Sequence, residues 1–330
     1  MRFIQRVAVA ALLIAPAAAA SDRELVVMAE EDFLDSWPVL VEMSRRFEAA
    51  HPGVHVRLLP LGGAVSSQHK GKFMLAGDVP LDVLRIDVTE IAAFQSEGAL
   101  VDLDPYFVAD SSWDASAYFP QVLDAARDAR GHLFGLPSTF TPYVFYVNLD
   151  LLAKIDPSIA ASARAAGLSS WTWDDFLALA RAGTRDLDGD RKTDQYGISL
   201  TQWLQAVVPW VWQNGGDLLD ARNERSRMSE PEFVGAMRFL RGLLHEEKVA
   251  SFDASFANQM SQGLFQAGRA LFYGPVGYWE TFRFKHIKDF RWDVVPLPRR
   301  KTAATSVAMT LYVVPRTSRH PELAYEFVRA

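Results

Sequence analysis

The stretch "DLDGDRKTDQYG" (residues 186–197) sets carboxylates at Asp186, Asp188, Asp190 and Asp194, the first, third, fifth and ninth positions of a calcium-type loop. Calcium takes about six to eight oxygens, and the EF-hand form of such a loop needs glycine at its sixth position and a bidentate glutamate at its twelfth. Here those positions hold Arg191 and Gly197, and the glycine, Gly189, comes at the fourth. Arg191 and Lys192 would add positive charge beside an ion. The favoured reading is a solvated turn in which aspartates bond their own backbone. A calcium loop at Asp186, Asp188, Asp190 and Asp194 is the competing one.

Other reactive constellations are sparse. The chain has no Cys, so it has no thiol nucleophile. It lacks a G-x-S-x-G elbow, an H-E-x-x-H pair, a phosphate loop and a dinucleotide fingerprint. The 7 histidines are scattered; His51 and His55 stand four apart but flank a Pro-Gly break, so they share no helix face. No cofactor is expected. A formal net charge of -6 argues against nucleic acid or an anionic membrane as partner. An exported polysaccharide-active enzyme is the runner-up by class; it would turn over a sugar polymer.

The remaining chemistry is recognition. A sugar asks for rings against its C–H faces and planar polar groups for its hydroxyls. The candidate rings are Tyr143, Trp203, Trp212, Tyr278 and Trp279; the candidate polar partners are Glu31, Asp32, Gln68, Asp87 and Asn214. Trp171 and Trp173 read as packing residues at a helix start, and Trp113 as packing or surface. Each ring has core packing as its plain alternative. Tyr278 and Trp279 lead, because they follow a Gly-Pro-x-Gly sequence expected to turn the chain and expose them.

Elements that position these residues follow from the pattern. "MRFIQR" and "VAVAALLIAPAAAA" form a basic start, a short apolar run and an A-x-A exit, predicting a secretory signal peptide over 1–20 with cleavage after Ala20. "ELVVMA" (24–29) is a continuous apolar run suited to a buried parallel strand. "WPVLVEMSRRFEAAHPG" repeats Leu40, Met43 and Phe47 at helical spacing and stops at Pro52-Gly53. "VHVRLLPL" and "LDVLRID" are further strands, so the start reads βαβαβ, with a mainly parallel sheet. Ligands of such sheets lie beyond the carboxyl ends of the strands, which is where Glu30, Glu31, Asp32 and Asp87 fall. Gly135 and Pro137 read as a chain break before the strand "YVFYV", and Thr172 as a helix cap with Asp174 and Asp175 in the first turn.

Several stretches, in this order, resemble the family-1 extracellular solute-binding proteins of ABC importers, the group that includes maltose-binding proteins. "GHLFGLPSTFTPYVFYVNLDLL" (131–152) is similar to that family's Gly-Leu-Pro hinge, strand, Tyr-Asn and helix, with Val147 at the Tyr position. "WTWDDFLALARAGTRDLDGDRKTDQYGI" resembles its Thr-Trp-x-x-Phe helix and the loop before Tyr-Gly. "QNGGDLLD" resembles its Asn-Gly-Gly turn. "QGLFQAGRALFYGPVGYW" resembles its Phe-x-x-Gly-x-Ala-Met signature, with Leu271 at the Met position, and "VVPLPRR" a second crossing.

The resemblance implies a periplasmic binding protein type II fold: two α/β lobes around a central cleft, with hinge crossings near Pro137–Tyr143 and Val295–Pro298. The N-lobe would be residues 21–138 and 297–330, and the C-lobe 139–296. Family members continue past the "PELAYEFV" helix and cross back, whereas this sequence stops at Ala330; on this pattern either the chain is truncated or its C-lobe lacks its final C-terminal segment. The implied function is a monomeric periplasmic protein that captures a sugar, oligosaccharide or neutral polyol and delivers it to ABC permease subunits at the membrane. Other solutes carried on the same fold, polyamines or glycerol-phosphate-type compounds, are the alternative. Arg85 or Arg283 turned inward would favour an anion.

Overall fold

The computed structural model describes residues 23–29, 36–61, 77, 80–157, 168, 170–251 and 261–330, which belong to two compact units. Glu31, Asp32, Gln68 and the expected leader with its cleavage point lie outside the described residues.

The first unit comprises residues 1–84 and 314–330. Strand β1 (Arg23–Ala29) pairs in parallel with β2 (Val54–Pro60) and with the start of β3 (Val83–Asp87). Leu25 through Ala29 are all buried, as a continuous apolar run in a covered parallel strand should be. The helix Ser36–Ala50 sends Leu40 and Phe47 inward. Phe47 meets Phe327 of the helix Pro321–Arg329 edge-on at 5.2 Å between centroids. One carboxylate is buried here with its bonds made. Asp82 accepts from Val26 N–H at 2.8 Å, from the Ser318 hydroxyl at 2.7 Å and from Arg319 N–H at 3.2 Å. Those bonds offset the cost of taking the charge out of water.

The second unit comprises residues 85–313. The far end of β3 lies beside β10 (Val307–Val313), and β10 pairs antiparallel with β4 (Gly135–Pro142). Gly135 and Pro137 therefore do not break the chain. Pro137 stands opposite Leu311, where the ladder slips between Thr310 and Leu311. A residue without an N–H is tolerated at such an irregularity.

A second sheet has the order β7 (Ala250–Ser251), β6 (Tyr196–Leu200), β8 (Ala270–Val276), β5 (Val144–Asn148), β9 (Trp292–Val295). β6 runs parallel to β7 and β8, with the helices Leu204–Gln213 and Pro231–His245 in the connections. β5 is antiparallel to both β8 and β9, so this sheet is mixed. The expected turn at Gly274-Pro275-Val276-Gly277 is also corrected: β8 runs through Val276, and the chain turns only beyond it. Gly274 permits this, because a Cβ there would come within 2.7 Å of the Val144 carbonyl oxygen.

The period-two alternation of β5 divides the core. Phe145 and Val147 enter a cluster with Trp171, Phe176, Trp210 and Phe272; Tyr146 enters another with Phe265, Tyr273 and Phe284. Phe145 lies 5.6 to 6.1 Å from four rings of its cluster, within the range of favourable aromatic pairs. The helix Trp173–Gly183 begins as expected. Thr172 caps it, and Asp175 returns a bond to the Thr172 N–H at 2.8 Å.

Candidate functional site

Within the second unit, five of the ten expected binding residues come together. Asp87 ends β3 and caps the 3-10 turn Val88–Glu90, accepting at Oδ1 from the Thr89 N–H at 2.9 Å and its hydroxyl at 2.6 Å. Tyr143 sits between β4 and β5, fixed by its own N–H to the Ser306 carbonyl at 2.9 Å. Trp203 is the N-cap of the helix Leu204–Gln213 and is 38% exposed. Tyr278, also 38% exposed, and half-buried Trp279 follow β8.

These groups touch. The Tyr143 and Trp279 rings meet edge-on at 5.7 Å, and Trp279 meets Tyr278 at 6.4 Å. Trp203 hydrogen-bonds the Tyr143 hydroxyl. An indole N–H only donates, so the Tyr143 oxygen is the acceptor and its own hydrogen is left to point elsewhere. Burial pushes this hydroxyl up to about 12; the Trp203 bond opposes the shift, and the Asp87 carboxylate adds to it. Tyr143 is thus a neutral donor at physiological pH.

The turn carrying Tyr278 and Trp279 is held from several sides. A Cβ on Gly277 would lie 2.1 Å from the Trp279 ring, so the ring folds back over bare backbone. The Tyr278 N–H donates to the Thr141 hydroxyl at 3.2 Å. The Tyr146 hydroxyl lies 3.2 Å from the Gly277 carbonyl and 2.9 Å from the Thr281 hydroxyl. Glu280 is buried: its Oε1 accepts from Arg283 at 3.0 Å and from the Tyr273 hydroxyl at 3.4 Å, while Oε2 has no partner among the described residues. Burial, partly opposed by Arg283 and Tyr273, holds this carboxyl above the usual glutamate range.

Trp212 and Asn214 lie apart from this cluster, at the far end of the helix from Trp203. The Trp212 indole donates to Asp217 at 3.0 Å. Asn214 is buried, and its amide donates to the Glu232 carbonyl at 2.6 Å, tying down the start of the helix Pro231–His245. Trp171 and Trp173 are buried packing residues, as expected, and Trp113 packs between Phe107 and Tyr118. Arg85 is buried and reaches the Ser138 hydroxyl at 3.4 Å; Arg283 pairs with Glu280. The sequence reading passed over Thr141, Tyr146 and Thr281. A pairing of Thr141 with a backbone group 137 residues away leaves no local signal.

In the acidic loop, one carboxylate oxygen from each of Asp186, Asp188 and Asp194 lies within 4.8 Å of the others. Asp190 stands outside that group and pairs with Lys192 at 3.1 Å. Asp186 accepts from the N–H groups of Gly189 at 2.7 Å and Arg191 at 2.9 Å, and Asp194 from Leu187 N–H at 2.8 Å.

The two α/β sheets and their helices define the two-lobed type II periplasmic binding fold. Solved structures with this fold include the ABC substrate-binding protein Lmo0181 from Listeria monocytogenes in complex with cycloalternan. It is 23% identical, with a TM-score of 0.78 over 93% of this chain and 74% of that one. Another is the GacH receptor of Streptomyces glaucescens, 22% identical, with a TM-score of 0.71 over 93% of this chain and 75% of that one. By sequence, an arabinooligosaccharide-binding protein of Bacillus subtilis is 21% identical over 301 residues, 87% of this chain and 64% of the relative. The chain therefore spans less than two thirds of that relative's length. The profile of bacterial extracellular solute-binding proteins matches residues 30–330, and the chain belongs to that family. Among the described residues no helix is long and apolar enough to cross a membrane.

Proposed function

We propose that this protein is the substrate-binding component of an ABC importer. It captures a neutral sugar, an oligosaccharide or related polyol, between two lobes and hands it to a membrane permease. The observation that carries this reading is the cluster of Tyr143, Trp203, Tyr278 and Trp279 beside Asp87. Largely aromatic walls with a few directed polar groups suit a sugar, whose C–H faces are apolar and whose rim is hydroxyl. Both polar groups of the cluster fit that rim: Tyr143 donates and Asp87 accepts. The saccharides bound by the neighbours in fold, and the arabinooligosaccharide named for the Bacillus subtilis relative, support the same class.

The mechanism requires no reaction. A solute that contacts both lobes only when they are closed shifts the equilibrium toward the closed form by its differential affinity. On this reading the lobes are residues 21–138 with 297–330, and 139–296. The leader is removed after Ala20, and the protein works as a monomer in the periplasm.

Thermal unfolding against neutral oligosaccharides, polyols, polyamines and glycerol phosphate tests the proposal. A bound solute stabilises the native state by about 2.7 kcal/mol at a hundred times its Kd. One saccharide is expected to raise Tm with concentration. Trp279→Ala should weaken its binding about thirtyfold, on the order of 2 kcal/mol for a truncated tryptophan anchor. A shift produced only by polyamines or phosphate esters would defeat the sugar reading, as would unchanged affinity in Trp279→Ala. Turnover of a glycan would instead favour the enzyme.

A further inference from the structure

Resting on the sugar-binding reading, we infer that Thr141 and Tyr146 are positioning residues that set the Trp279 ring. Neither belongs to the ring cluster. Thr141 lies in β4, opposite Ala308 of β10, and is 5% exposed. Its hydroxyl accepts from Tyr278 N–H at 3.2 Å and donates to the Pro142 carbonyl at 3.3 Å. Both functions of the hydroxyl are used, so its direction is fixed.

Tyr146 grips the turn from the other end. It is fully buried within the Phe265, Tyr273 and Phe284 cluster, so its ring cannot swing. Burial pushes its hydroxyl up to about 12, with the Thr281 bond opposing the shift. The group is therefore a neutral donor, and it reaches the Gly277 carbonyl at 3.2 Å while the Thr281 hydroxyl completes it at 2.9 Å. The Thr281 N–H closes the turn onto the Tyr278 carbonyl at 2.8 Å.

Trp279 thus sits on a four-residue arch, 278–281, whose first N–H is held by Thr141 and whose preceding carbonyl is held by Tyr146. The ring folds over Gly277, and its edge partner Tyr143 immediately precedes the strand that carries Tyr146. Nothing in the helix Glu280–Phe284, only five residues long, could fix the ring by itself. A binding ring must be held to within a fraction of an ångström by neighbours whose own rotamers are locked. Thr141 and Tyr146 are such neighbours, locked by a β-ladder and by a packed core respectively.

The test uses the full chain with fluorotryptophan in place of tryptophan, read by fluorine NMR without ligand. The Trp279 line is identified by its loss in Trp279→Phe. Thr141→Val and Tyr146→Phe are each expected to move that line and to leave the Trp173 and Trp210 lines in place. Thr141→Ser should restore it. Affinity for the saccharide giving the largest Tm shift should fall about five- to tenfold in both, the size of one lost hydrogen bond. If Thr141→Val fails to fold, Tyr146→Phe, which keeps the buried ring, decides alone. A Trp279 line that stays put in the folded variants overturns the inference. If no saccharide binds the wild type, the sugar reading fails, while the ligand-free Trp279 line still decides this one.

Discussion

Trp173 and Trp210 on one side, and Trp203 and Trp279 on the other, show what separates a tryptophan that builds this protein from one available to a ligand. Trp173 and Trp210 are 2% and 1% exposed. Trp173 stacks on Phe239 at 4.2 Å, and its N–H ends on the Gln213 side chain at 2.7 Å. Trp203 keeps an exposed face, and its N–H ends on the hydroxyl of Tyr143, a member of the ring cluster. Trp279 is only half-buried, folded over Gly277 and met edge-on by Tyr143 and Tyr278. The residue type is the same, and the difference lies in how many sides are covered and where the polar handle is anchored. Tryptophan couples a large apolar body to one polar tip, so both uses are open to it.

The largest effect should come from breaking the core member of the pair. Trp210→Ala removes a ring that touches Phe145, Trp173, Phe176 and Phe239. Truncating a buried Trp costs about 3–5 kcal/mol through lost transfer energy and the cavity left behind. Urea unfolding should show that loss, whereas Trp279→Ala should lose binding with a smaller change in midpoint. Equal losses in the two variants would dissolve the distinction.

That distinction was only partly legible in the sequence. The continuous apolar run of β1 and the box of Thr172 with Asp175 are local patterns, and local patterns survive in one dimension. The placement of Trp171 and Trp173 could be read because they flank a helix start. Trp212 and Asn214 could not, since only the folded turn shows Asp217 and Glu232 engaging them. Pro137 read as a break because its missing N–H is visible in sequence, while the slipped register that accommodates it is not. The two hydroxyls that hold the Trp279 turn come from 137 and 131 residues upstream of their partners, beyond any periodicity.

Glu280 sharpens the comparison at the residue next to Trp279. Its carboxyl is buried, and desolvation holds its pKa above the usual glutamate range. The folded pKa is raised, so its contribution to stability is full below the unfolded value and is lost as pH rises through the folded value. Glu280→Gln removes the charge and keeps the shape. The stability of this variant relative to wild type should therefore climb as pH rises from 4.5 toward neutrality, read by urea midpoints across that window. A difference that is flat with pH, or that falls, would mean Arg283 rather than desolvation governs the group.

The smallest effect belongs to the acidic loop, where polar groups face outward and satisfy one another. Asp186 bonds two backbone N–H groups, Asp188 accepts from Asp190 N–H at 3.0 Å, and Asp194 takes Leu187 N–H on one oxygen and Arg269 on the other at 2.9 Å. Gly189 and Arg191 adopt φ of 83° and 68°, the left-handed conformation that such a turn demands. A calcium ion would have to compete with these bonds and lie beside Arg191 and Lys192. The Asp186 carboxyl is held below its usual range, first by the Gly189 N–H, so its contribution is present above the unfolded pKa and lost as pH falls through the folded one. Asp186→Asn should thus lower Tm slightly at neutral pH and leave it nearly unchanged in acid, while millimolar calcium should leave the wild-type Tm where it was. A saturable calcium-dependent rise that disappears in Asp186→Asn would instead make this loop a metal site, and its carboxylates ligands first and turn-formers second.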